Sequence, residues 1–107
     1  MNRIYFNNFT CLADVVEQFC ISEEEIENIT MIYASYDTPY YEGDAHVIFL
    51  RDGKLYEVNG SHCSCNGLEN TWVPEETSAL ALLNRPNVSE DAKNNIKHIY
   101  RNIMCFL

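Results

Sequence analysis

No stretch of this chain approaches the run of about eighteen apolar residues that a helix needs to cross a bilayer, so no membrane-spanning helix is predicted. The N-terminus, Met1-Asn2-Arg3-Ile4-Tyr5-Phe6-Asn7-Asn8, lacks the apolar centre of a secretion signal, and the expected location is the cytoplasm. Repeats and low-complexity tracts are absent, which excludes a repeat array. Bases are scarce: seven Lys and Arg face sixteen Asp and Glu, giving a formal net charge of -9. A field of that sign repels phosphates, so direct nucleic-acid binding is not expected. Glycine-rich phosphate-cradling loops and paired C-x-x-C knuckles are missing too.

At 107 residues and 47% hydrophobic, the chain has the length and composition of a single compact domain over 1–107 with one core. Its five cysteines are odd in number, and without an export signal they are expected to be reduced thiols. Charge is unevenly placed. Between Ile4 and Leu50 stand nine acids and no Lys or Arg, whereas Arg85, Lys93, Lys97 and Arg101 lie in the last quarter. An acidic half can serve solubility alone, or it can attract a basic partner and raise the rate of encounter.

Phe9, Leu12, Val15, Val16 and Phe19 recur at helical spacing and predict an amphipathic helix over 9–19, with Thr10 as N-cap. Ser22-Glu23-Glu24-Glu25 has the form of a capping box opening a short helix over 23–28. The segment 30–36 is rich in β-branched and aromatic residues, and 44–50 is a nearly continuous apolar run. Asp52-Gly53 suits a two-residue hairpin turn leading into a strand over 54–59. Pro74 followed by Glu75 and Glu76 reads as a helix start that Ala79, Leu80, Leu82 and Leu83 carry to Asn84. Ser89 caps a last helix, with Ala92, Ile96, Ile99 and Ile103 on one face and Lys93, Lys97 and Arg101 on another. The expected class is α+β, a three-stranded antiparallel sheet flanked by helices in the order ααβββαα.

The turn predicts a register that pairs Arg51 with Lys54, Phe49 with Tyr56, Val47 with Val58 and His46 with Asn59. Alternation then puts Val47, Phe49, Tyr56 and Val58 on a face packed against helices. His46, Ile48, Leu50, Leu55, Glu57 and Asn59 share the other, mixed face, whose polar end opens toward a loop containing His62, Cys63 and Cys65.

That loop concentrates chemistry. His62, Cys63 and Cys65 could ligate zinc, yet adjacent residues seldom reach one metal together, so no cofactor is assigned and zinc stays an alternative. As an enzyme site it would use Cys63 as nucleophile and His46 or His62 as base, with Glu57 or Asn59 orienting the ring. The plainer reading is a loop whose side chains hydrogen-bond its own irregular backbone, with Cys11, Cys20 and Cys105 in the core. A second concentration is aromatic and acidic: Tyr36, Asp37, Tyr40, Tyr41, Glu42 and Asp44 form a candidate recognition edge. The alternative is that these rings pack on the sheet with their hydroxyls in water.

Ala34-Ser35-Tyr36, Tyr41-Glu42-Gly43-Asp44-Ala45, the run from Gly53 through Tyr56-Glu57-Val58-Asn59-Gly60-Ser61-His62-Cys63-Ser64-Cys65, Gly67-Leu68-Glu69, Trp72 and Pro74-Glu75-Glu76 resemble a family of small phage and prophage proteins. The resemblance spans roughly residues 30–80, implies a phage or mobile-element origin, and assigns no catalytic residue. By type, small acidic phage proteins resemble host-directed inhibitors, anti-CRISPR and other anti-defence proteins among them. The functional expectation is therefore a non-enzymatic protein that binds and modulates a host or phage protein complex through a basic partner surface. A homodimer, a cysteine–histidine enzyme and a zinc-stabilised module are the alternatives.

Overall fold

Asp52 and Gly53 adopt positive φ angles of 52° and 78°, as a tight hairpin between right-twisted strands requires. The computed structural model describes residues 3–37, 43–62, 68 and 71–104; of His62 and residues 100–104 it describes the backbone alone. Its elements are β1 (Tyr5–Asn7), α1 (Leu12–Phe19), a 3-10 turn over Glu23–Ile26, β2 (Ile29–Asp37), β3 (Gly43–Arg51), β4 (Lys54–His62), β5 (Glu75–Thr77), α2 (Ala79–Leu83) and α3 (Glu90–Met104). The expected β3–β4 register is present in full, from Arg51 opposite Lys54 to His46 opposite Asn59, and it continues to Gly43 opposite His62.

The class is α+β with helices flanking the sheet, but the sheet is not three-stranded and antiparallel. It has five strands in the order β1-β2-β3-β4-β5, and β1 runs parallel to β2. Both additions are three-residue edge strands, too short to show an alternation of their own. At β5 the helix-start reading of Pro74 fails because Glu75, Glu76 and Thr77 pair with Glu57, Tyr56 and Leu55. Backbone groups on the outer edge of β4 need partners, and that demand outweighs a local N-cap preference. The helix begins only after Ser78, whose hydroxyl accepts from the Ala81 N–H.

The first helix also starts later than its apolar spacing suggests. Thr10 is not its cap; Cys11 occupies the N-cap position, and the Asp14 carboxylate reaches back to the Thr10 N–H and hydroxyl. Ser22 precedes its 3-10 turn without a side-chain cap. Cys11 and Cys20 are exposed at the two ends of α1, not in the core, and Cys105 lies outside the described residues.

Each sheet face has its own core. On the first, Val47, Phe49 and Val58 are fully enclosed with Phe9, Val15, Phe19 and Leu68, and Tyr56 packs at the margin. Rings run in contact across it: Phe49 stacks on Trp72 at 5.7 Å and on Tyr56 at 5.5 Å, while Phe19 meets Trp72 edge-on at 5.1 Å. Gly60 lies beneath this pile, where an added Cβ would come within 2.9 Å of both the Phe19 ring and the Thr71 hydroxyl.

On the second face, Ile32, Ile48 and Leu55 pack against Leu82, Val88, Ala92 and Ile96 from the α2–α3 region. A bulge in β2 between Met31 and Tyr33 brings the consecutive residues Ile32 and Tyr33 into this same cluster. The fully buried Asn95 amide fastens α3 to the sheet by donating to the Ile32 carbonyl at 2.9 Å and the Arg3 carbonyl at 3.0 Å. Among the described residues no helix is long and apolar enough to cross a membrane.

Phe49 is enclosed between two rings and Leu80 is 71% exposed, so the two positions respond differently to truncation. Phe49→Ala should lower the unfolding free energy by about 3–5 kcal/mol, and Leu80→Ala should change it by less than about 0.5 kcal/mol. Urea denaturation followed by circular dichroism measures both, and equal effects would contradict this assignment of the core.

Candidate functional site at the polar end of the sheet

Where α2 and α3 stop covering the second face, cross-strand register builds a grid of polar side chains. Its outer row is Asp37, Asp44 and Ser61; the next is Ser35, His46 and Asn59; the third, Tyr33, Ile48 and Glu57, passes under the helices. Asn87 and Ser89, from the α2–α3 connection, wall an open depression of about 590 Å³ over the first two rows.

Glu57 is the buried charge of this face, with its side chain only 8% exposed. Its Oε2 lies 2.6 Å from His46 Nε2 and 2.5 Å from an Arg85 guanidinium nitrogen. Burial pushes the carboxyl's pKa upward, but hydrogen bonds from Arg85 and His46 together with their charge outweigh it, so the net shift is below the ordinary value. Because Glu57 is thereby held ionised and can only accept, His46 Nε2 carries the proton of the hydrogen bond between them. The ring is further fixed edge-on to Tyr33, at 5.8 Å.

The outer row is handled differently. Asp37 and Asp44 face each other across β2 and β3, both exposed, and no described cation pairs with either. Carboxylates in directly opposed positions repel and weaken the ladder that carries them.

These placements separate the residues read from sequence. His46 and Glu57 come together, and Glu57 rather than Asn59 orients the imidazole. Asp37 and Asp44 share the outer row, whereas Tyr36 points to the opposite face and is buried against Phe9, at 5.4 Å between rings. Tyr40, Tyr41, Glu42, Cys63 and Cys65 lie outside the described residues, and so does the His62 side chain; the His62 backbone closes β4 at this end of the sheet. Among the described residues no three His, Cys, Asp or Glu side chains converge as a metal site would require.

From the sequence, Arg85 counts only among the bases of the last quarter, and neither Tyr33 nor Asn95 is assigned to a site. One signal pointed to Arg85. A carboxylate amid Ile48, Leu50 and Leu55 requires a cation, and Arg85 is the first base after Lys54.

The lowered pKa fixes a pH dependence. Stability contributed by Glu57 is fully present above its ordinary value of 4.5 and is lost as pH falls through the lower folded value. Glu57→Gln should destabilise the protein by about 2–3 kcal/mol near pH 7, a figure kept modest because Arg85 is partly open to solvent. The gap between variant and wild type should narrow progressively below pH 4.5 in urea titrations; a gap independent of pH would remove the charged pairing. Compared with protein-family models, curated proteins and solved structures, the chain matches none, so the chemistry of this polar sheet end carries the functional reading.

Proposed function

We propose that this protein is a non-enzymatic binder of a basic protein surface and engages it through the sheet end that carries Asp37 and Asp44. The observation that carries the reading is their direct opposition across two strands without a described counter-charge. Such a pair costs folding stability, and a cationic partner arriving there would reverse that cost. The net charge of -9 extends the attraction beyond contact range. Joined to the phage-type motif of residues 30–80, this describes a phage-derived modulator of a host or phage protein complex, an anti-defence inhibitor of the anti-CRISPR kind. Tyr40, Tyr41 and Glu42 belong to the same proposed surface by their place in the sequence.

Asp37→Asn combined with Asp44→Asn should raise folding stability by roughly 0.2–1 kcal/mol. The same change should slow association with a partner captured from bacterial lysate and flatten the salt dependence of its on-rate. Surface-plasmon kinetics over a range of ionic strength tests this, and an unaltered association rate would exclude this end as the interface.

The His46–Glu57 contact favours one second reading, a cysteine–histidine enzyme with Cys63 as nucleophile and Glu57 orienting His46. Cys63→Ser with Cys65→Ser should leave both the fold and partner binding unchanged if the protein is a binder, and loss of folding together with zinc release would favour a zinc-stabilised module instead.

A further inference from the structure

The depression over the outer rows contains one group that a merely solvated acidic edge does not explain. Tyr33 is 7% exposed and lines the depression. Among the described residues its hydroxyl has no hydrogen-bond partner, and it is not one of the unpartnered polar atoms sealed from solvent. A tyrosine more than nine-tenths buried normally spends its hydroxyl on a protein partner. Here the hydroxyl is kept free where the residue borders the cavity, two strand positions behind Ser35 and four behind Asp37.

Polar residues therefore line the depression in successive rows: Asp37, Asp44 and Ser61 at the mouth, Ser35 and Asn59 behind them, and Tyr33 in the row behind those. Rows on one strand face are about 6.6 Å apart. Arg85 is already committed to Glu57 in the row behind, so it does not neutralise the mouth.

We infer that the depression is a receptor for one arginine side chain of the partner protein, with the guanidinium held between the two aspartates and the inner oxygens. The inference rests on the binder reading given above and specifies its recognition element. A guanidinium carries N–H donors on several edges of one plane and can address acceptors in two rows at once, whereas an ammonium presents a compact point charge that one carboxylate pair would satisfy. A divalent metal fits poorly, because no three His, Cys, Asp or Glu side chains converge among the described residues.

The probe is Nα-acetyl-L-arginine amide, titrated into 15N-labelled protein, with the neutral isostere Nα-acetyl-L-citrulline amide and with Nα-acetyl-L-lysine amide as comparisons. The arginine amide should shift the amides of Ser35, His46, Asn59 and Ser61 in a saturable way. Lysine amide should bind several-fold more weakly, and citrulline amide should leave these signals in place. Tyr33→Phe keeps the ring and should weaken arginine binding about threefold to tenfold. Asp37→Asn with Asp44→Asn should weaken it by about tenfold or more. Shifts confined to residues 23–27, equal responses to arginine and citrulline, equal affinities for arginine and lysine, or an unchanged affinity in Tyr33→Phe would each overturn the inference. Partner association that depends on Asp37 and Asp44 without any arginine-amide response at the depression would overturn it too, while leaving the binder reading standing.

Discussion

Register in the β3–β4 hairpin governs nearly everything else in this molecule. Side chains alternate between faces, so a slip of one residue would carry Val47, Phe49 and Val58 out of the aromatic core and turn His46 and Glu57 away from α2 and α3. Two constraints hold the register. Asp52 and Gly53 take the left-handed conformations that a two-residue turn demands. Gly60, beneath Phe19, accepts no side chain, so a shifted strand would force a Cβ into the ring. The hairpin is thus held at its tip by backbone conformation and near its open end by packing.

On the second face the same register gives three acids two opposite fates. Glu57 lies one row inside the helical cover, where an unpaired carboxylate would be costly, and it is held by a donor from β3 and another from the α2–α3 connection. The contact therefore ties three parts of the chain together and fixes how that connection sits on the sheet. Asp37 and Asp44 lie beyond the cover, where water lowers the cost of charge, and among the described residues no comparable donors meet them. Burial depth along one strand face separates a structural carboxylate from a pair free to interact outward.

How much of this was legible in the sequence follows from which forces were local. The turn, the β3–β4 pairing and the inward face containing Val47, Phe49 and Val58 depend on Asp52-Gly53 and strict alternation, and both are visible in a few consecutive letters. Strands β1 and β5 exist because neighbouring strands had free edges, a demand exerted by residues far away in the chain. The same holds for Arg85, whose partner is 28 positions away. Tyr36 misled in another way: its place beside Asp37 suggested a shared surface, but adjacent strand residues face opposite sides, and that parity sends Tyr36 to Phe9.

The bulge at Ile32 shows how one irregularity links core and site. By placing two consecutive side chains in the helical layer, it changes the parity of all later β2 residues relative to Met31. Without that extra residue, Tyr33, Ser35 and Asp37 would fall on the aromatic face, and Ala34 and Tyr36 would meet the helices. The polar grid needs the bulge as much as it needs the hairpin turn. Asn95 bonds the carbonyl of Ile32 itself, so the helix that covers this face also secures the irregularity that orients its polar end. Packing of α3 and the facing of Asp37 are consequently coupled through a single backbone position.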